Sequence, residues 1–261
     1  MKIKFLEKSK ESITFEIDGI EIEFANALRR IMISEVPILA IEDVYFKDNN
    51  SALFDEVISH RLGLIPLKFP IDVFNFREEC SNCGGEGCPN CQAVFTLEKE
   101  GPCMVYSGDM KSSNEEVKPL YDNIPIVKLE KGQKISLEAI AVLGLGKNHI
   151  KHKAAIASYK YYPLINIDGK KCDNCGACIN VCPKNIIVKG KTKPIIKNQI
   201  DCTLCGVCVE ACGKKNAIEL KGDKNRLIFK VETVSGLTPK EIVLKSCDIL
   251  ENKSEELKKE L

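Results

Sequence analysis

Two cysteine runs of identical spacing constrain this chain more than any other feature: Cys172-x2-Cys175-x2-Cys178-x3-Cys182-Pro183 and Cys202-x2-Cys205-x2-Cys208-x3-Cys212. Each cysteine of the first run has a counterpart 30 residues later, so eight of the 14 cysteines form an internal repeat. Three thiols at x2-x2 spacing can face one centre from a single loop, but the fourth must arrive from another direction. A loop followed by a short helix that crosses to the other site supplies it. A disulfide framework is the plainer alternative. The start, Met1-Lys2-Ile3-Lys4, has no apolar segment of the kind that marks secretion. The expected setting is therefore the reducing cytoplasm, where disulfides are disfavoured. Zinc would want two CxxC pairs and not triplets.

The repeated run resembles that of two-cluster bacterial ferredoxins, in which the fourth cysteine of each run ligates the other cluster. The resemblance implies one [4Fe-4S] cluster on Cys172, Cys175, Cys178 and Cys212, and a second on Cys202, Cys205, Cys208 and Cys182. One departure is Gly213, which stands where proline often follows the second run. Such a module needs only the stretch from about Asn166 to Gly222, so the long flanks make it an insert in something larger.

The flanks are ordinary in bulk. At 261 residues the chain has room for two or three domains. Lys plus Arg number 38 against 37 Asp plus Glu, so no global positive field argues for autonomous nucleic-acid binding. No apolar run reaches membrane-spanning length.

Ile3 and Phe5, then Ile13, Phe15 and Ile17, alternate with polar residues and read as two strands joined through Ser9-Lys10-Glu11. Phe24, Leu28, Ile31, Met32 and Val36 follow helical spacing up to Pro37. A strand around Ile41 to Phe46 precedes a second helix, Ala52 to Leu62, broken by Gly63 and Pro66. Val94 to Leu97 and Met104 to Tyr106 are strand-like, and Gly144 to Lys153 reads as a loop. Leu227 to Thr233 is a further strand. Thr238-Pro239-Lys240-Glu241 is a capping box with proline at the first helical position, opening a last helix.

Asn26-Ala27-Leu28-Arg29-Arg30-Ile31-Met32 and Asp55-Glu56-Val57-Ile58-Ser59-His60-Arg61-Leu62-Gly63-Leu64-Ile65-Pro66-Leu67 resemble the assembly subunits of cellular RNA polymerases. These are the D-type subunit of archaeal DNA-directed RNA polymerase, the third-largest eukaryotic subunit and the bacterial alpha subunit. Val105 to Asp109, Gly146 to His149, Tyr159 to Pro163 and Val231 to Thr233 continue the resemblance in order along nearly the whole chain. It implies an α+β fold of three parts. Residues 1–37 and 224–261 would form a discontinuous α/β dimerisation domain, 38–165 a mostly β insert domain, and 166–223 the ferredoxin-like (βαβ)2 domain. It also implies a heterodimer with subunit L, onto which small zinc-bearing subunits and then the large catalytic subunits assemble. For the apolar stripes of the first and last helices, an intramolecular core is as good a reading of the residues as a partner interface. Only the resemblance favours the partner. Arg29-Arg30 are read as a solvated or subunit-facing edge and not as a DNA contact.

A third group, Cys80-x2-Cys83-x4-Cys88-x2-Cys91, has the two CxxC pairs of a tetrahedral zinc site, with Gly84, Gly85 and Gly87 permitting the tight turn. Its four-residue connection is short for a zinc module. An empty or redox-active loop and a third iron–sulfur centre are the alternatives. His149-x2-His152 lacks the spacing of a helical ligand pair and reads as a structural loop. His60, Cys103 and Cys247 read as packing residues. No nucleophile–base constellation, phosphate-cradling loop or acidic triad is present, so no active site is expected. Two functions compete: a non-catalytic polymerase scaffold carrying clusters, and a ferredoxin-type electron-transfer subunit of a redox complex. The polymerase-like flanks favour the first.

Overall fold

The alternation at Ile13, Phe15 and Ile17 does build a strand, and its apolar face is buried. The computed structural model describes residues 1–261. Its strands are β1 (Lys2–Lys8), β2 (Ser12–Asp18), β3 (Ile38–Asn49), β4 (Leu67–Lys68), β5 (Gln92–Glu100), β6 (Cys103–Tyr106) and β7 (Lys111–Ser112). They continue as β8 (Lys118–Pro119), β9 (Pro125–Leu129), β10 (Lys134–Gly144), β11 (Ala155–Ile167), β12 (Ile187–Val188), β13 (Ile195–Ile196) and β14 (Ile218–Thr233). The helices are α1 (Ile22–Ser34), α2 (Asp55–Gly63), α3 (Ala177–Asn180), α4 (Val207–Glu210) and α5 (Pro239–Glu260). This is an α+β fold in which strands dominate. No helix is long and apolar enough to cross a membrane.

The chain divides into two units. The first comprises Met1–Glu7, Thr14–Ala25 and Ser158–Lys230. Its main sheet has the order β1-β2-β14-β11. Phe15 and Phe229 stack across it with ring centroids 5.4 Å apart and planes 6° from parallel. Phe229 is fully buried, a contribution of roughly 1.5–3 kcal/mol in apolar transfer. On the same sheet Arg226 lies 3.6 Å above the Tyr162 ring and donates 2.7 Å to the buried Glu16 carboxylate, so that burial costs no unpaired charge. Between β11 and β14 the chain runs strand–helix–strand twice: β11, α3, β12, then β13, α4, β14. The Asp168 N–H donates 2.9 Å to the Ala217 carbonyl, bringing the two ends of this excursion together.

The second unit comprises Lys8–Ile13, Asn26–Ala157 and Val231–Leu261. Its principal sheet has the order β3-β10-β5-β7, with antiparallel pairing throughout. Ile135, Leu137, Ala139 and Ala141 of β10 turn inward with Phe95 and Leu97 of β5. Register shifts at Ser136/Leu137 and Ile140/Ala141 bend β3 against β10. Smaller ribbons pair β4 with β8 and β6 with β9. The α5 cap forms as the sequence indicates, Glu241 accepting from the Thr238 N–H at 2.7 Å while Thr238 Oγ1 accepts from the Glu241 N–H at 3.3 Å.

Several expectations change. The helix expected from Ala52 begins at Asp55, because Asn49 Oδ1 accepts from the Ser51 N–H and hydroxyl and holds the preceding residues in a turn. Leu28, Ile31, Met32 and Val36 are buried within the chain itself, while Phe24 stays 44% exposed, so most of the α1 stripe is intramolecular core. His60 is exposed rather than packed, and Cys247 is exposed and Cys103 half-buried rather than core.

Candidate metal centres

The compact loop after Phe76 brings Cys80, Cys83, Cys88 and Cys91 together, with all four sulfurs within 4.8 Å of one another. Cys80 and Cys88 are 3.7 Å apart, Cys83 and Cys91 3.7 Å, and Cys88 and Cys91 3.8 Å. A tetrahedral ion with Zn–S bonds of about 2.3 Å spaces its sulfurs by about 3.8 Å, so the donor set has the size a single zinc requires. A cubane cluster is larger, and nothing in this spacing leaves room for one. Gly84, Gly85 and Gly87 take φ of 59°, 96° and 110°, the left-handed turns that fold one knuckle onto the other. The Gly87 N–H donates 3.3 Å to Cys83 Sγ and the Cys88 N–H 3.2 Å to Cys91 Sγ. The first bond draws the Cys83 thiol down to about 7, whereas burial pushes Cys91 up to about 12. Arg77 clamps the loop, donating at 3.2 Å to both the Gly85 and Glu86 carbonyls and pairing with Asp43 at 3.3 Å. Sequence reasoning missed this residue, since its spacing carries no motif.

In the first unit the repeat seen in the cysteines extends to the backbone. Gly176 and Gly206 precede α3 and α4 with the same φ of 82°. Asn174 and Leu204 sit at φ 57° and 59°, and the N–H of each donates 3.4 Å to the sulfur of Cys172 or Cys202. The left-handed residues turn each loop so that its three thiols converge. Cys178, Cys202 and Cys208 are buried in a core with Ile167, Ile186, Ile187 and Ile218, and Cys172, Cys182 and Cys212 are half-buried against it. Cys175 and Cys205, at corresponding positions, are exposed.

The two runs also exchange partners. Burial raises the Cys178 thiol, and the cysteines whose charge acts on it are Cys172, Cys212 and Cys175. Burial likewise raises Cys208, on which Cys202, Cys205 and Cys182 act. Cys182, Cys202, Cys205 and Cys208 line one cavity, walled by Ile165, Ile187 and Leu220. Cys182 therefore shares the cavity of the second run, and the charge of Cys212 acts on Cys178 of the first.

Of the weaker candidates, His152 is buried with Nδ1 2.8 Å from the Ile38 carbonyl, and the His149 ring caps its own turn by accepting from the Lys151 N–H at 3.2 Å. Both are structural. Arg29 donates to Asn26 Oδ1 at 3.0 Å, and Arg30 is exposed.

Comparison with known proteins matches two stretches of the chain. Residues 44–170 match the RNA polymerase Rpb3/RpoA insert domain, and residues 171–218 match the 4Fe-4S dicluster domain. The class is thus an RNA polymerase assembly subunit that carries an iron–sulfur domain. DNA-directed RNA polymerase subunit Rpo3 of Methanothermobacter thermautotrophicus is 42% identical over 98% of this chain and 97% of its own length. The Archaeoglobus fulgidus Rpo3 is 43% identical over 99% and 97%. The Pyrococcus horikoshii Rpo3 is 46% identical over 65% of this chain and 63% of its own length. The chain belongs to the Rpo3 family of DNA-directed RNA polymerase subunits. That membership decides between the two functional readings in favour of the polymerase scaffold, a subunit other than the catalytic one.

Proposed function

We propose that this chain is the platform on which a polymerase assembles, pairing with a subunit L as a heterodimer and then receiving small zinc-bearing subunits and the large catalytic subunits, in the cytoplasm. The observation that carries the reading is the set of large apolar side chains left exposed. On β1 these are Ile3 (53%) and Phe5 (64%), and on α5 they are Leu244 (53%) and Leu257 (58%). Obligate interfaces are large and core-like, and apolar groups of this kind are what they cover. Residues 1–37 and 224–261 would supply this dimerisation domain, residues 38–165 the insert domain, and residues 166–223 the cluster domain.

Two [4Fe-4S] clusters occupy the cluster domain in this reading, one on Cys172, Cys175, Cys178 and Cys212, the other on Cys202, Cys205, Cys208 and Cys182. The exchange of partners between the runs supports these sets. Zinc binds Cys80, Cys83, Cys88 and Cys91, which the 3.7–3.8 Å sulfur spacings favour. When bound, these groups contribute folding energy, because their thiolate sites have no counterpart in the unfolded chain. Anaerobic affinity purification of the tagged chain tests the proposal. Co-elution with a small partner and two very large subunits, together with RNA synthesis, is expected. Recovery with a reductase and no polymerase would reject it.

A further inference from the structure

The excursion between β11 and β14 concentrates positive charge as well as thiols. Between Asp173 and Asp201 the sequence has no acidic residue and five lysines: Lys184, Lys189, Lys191, Lys193 and Lys197. Both flanking acids are engaged, Asp173 with Lys214 at 3.5 Å and Asp201 accepting 2.7 Å from the Asn198 amide. Lys193 is used inside the fold, its half-buried Nζ donating 2.6 Å to the Ile167 carbonyl. The other four ammoniums are exposed, and none forms an ion pair. By contrast, Lys47, Lys128 and Lys134 in the second unit each face a glutamate at 2.6–3.5 Å.

These lysines ride on the ribbon of β12 and β13, in which Ile187 pairs with Ile196 and Val188 with Ile195. The first pair packs on the core that holds Ile167, Ile186 and Ile218. Alternation turns the second pair outward, and Ile195 is 55% exposed. The Lys197 N–H extends the ladder, donating 2.8 Å to the Ile186 carbonyl, and alternation sets its ammonium on the Ile195 side. Lys189 and Lys191 stand in the connecting turn, where a Cβ on Gly190 would collide with the Lys193 carbonyl, so the turn is closed tightly. The ribbon is thus anchored from behind and presents an uncovered aliphatic side chain flanked by three unpaired cations.

We infer that this ribbon is a docking surface for an acidic peptide segment of a partner protein, one whose carboxylates meet Lys189, Lys191 and Lys197 while an aliphatic side chain of its own covers Ile195. Opposite charge steers the segment in, and the apolar contact holds it. Nucleic acid is the other polyanion, and the patch is poorly made for it. From Asn174 to Ile200 there is no Arg to fork onto phosphate and no aromatic ring to stack on a base. A phosphate backbone would also leave Ile195 in water. The inference uses none of the cysteines, so it stands apart from the groups they hold and from the platform reading.

Fluorescence anisotropy on the full-length chain, prepared anaerobically, tests it with three labelled probes: a peptide of alternating Glu and Leu, a peptide of alternating Glu and Ser, and a mixed-sequence DNA duplex. The Glu–Leu peptide is expected to bind most tightly, and to weaken between about 0.05 and 0.2 M salt as screening sets in. K189Q/K191Q/K197Q should lower its affinity about tenfold and flatten the salt dependence. I195S should bring the Glu–Leu peptide down to the level of the Glu–Ser one and leave the salt dependence unchanged. Iron content and circular dichroism establish that the variants are folded. If they are not, carbodiimide coupling of the Glu–Leu peptide to the wild-type chain decides, since crosslinks mapped by mass spectrometry must fall chiefly on Lys189, Lys191 and Lys197. Crosslinks elsewhere, no binding, or undiminished binding by the folded triple variant overturns the inference. A duplex bound more tightly than the Glu–Leu peptide overturns it too, and makes the ribbon a nucleic-acid surface instead.

Discussion

Cys83 and Cys91 lie 3.7 Å apart, sulfur to sulfur, yet their thiols are of opposite character. The Gly87 N–H holds Cys83 at about 7, and burial holds Cys91 at about 12. In chain stripped of metal by a chelator, iodoacetamide should therefore label Cys83 first. Its rate should rise as the pH climbs through about 7, while Cys91 stays unlabelled, since only the thiolate reacts. Mass spectrometry of the labelled peptides checks this, and equal labelling of the four cysteines would count against it. His152 makes a second prediction. Burial lowers its pKa below the ordinary 6.5, although the Ile38 carbonyl and Glu42 oppose that shift. Just below 6.5 the unfolded imidazole binds a proton that the folded one refuses, so stability falls as the pH drops from 6.5 towards the folded value. Urea melts at about pH 7.5 and about pH 5.5 should show this loss in the wild type and a smaller one in His152→Gln. At this scale the cysteines were legible because thiol chemistry imposes a spacing on the sequence. Arg77 was not. It reaches the Gly85 and Glu86 carbonyls further along its own loop, and a lone basic residue carries no pattern that announces such a bond.

The α5 cap shows how far local chemistry specifies an element. Thr238 and Glu241 exchange hydrogen bonds, Pro239 fills the first helical position, and the helix starts where the sequence places it. Thr238→Ala should cost about 1 kcal/mol, read as a lower urea midpoint with an unchanged slope. A change in slope instead would mean that the helix end unfolds separately. β10 went unpredicted although Ile135, Leu137, Ala139 and Ala141 alternate along it, because two of those four side chains are alanines and weigh little as an apolar signal. The same applies to β11, which opens Ala155, Ile156, Ala157 with the isoleucine facing out. The exposed His60 is a different kind of miss. Its neighbours Ile58 and Leu62 carry the burial of α2, and the imidazole falls on the opposite face.

For the molecule as a whole, the fold class and the polymerase family were legible, because an ordered series of motifs spans nearly the full chain and each is weak alone. How the apolar stripes divide between core and surface was not legible, since helical spacing says which side chains share a face and not what covers it. If the clusters stabilise the subunit, Cys205→Ser purified anaerobically should lower the yield of complex with its small partner, whereas an unchanged yield would remove them from assembly. A last consequence follows from the meeting of Asp168 and Ala217. The cluster domain leaves β11 and returns to β14, neighbours in one sheet, with its entrance and exit one hydrogen bond apart. Such an excursion is a pendant on a hairpin. Chain in which a tight turn joins Ile167 to Ile218 should keep its remaining strands in register. The segment between them then hangs from the sheet at two adjacent points, so cutting it out asks the strands to bridge one hydrogen bond's distance and no more.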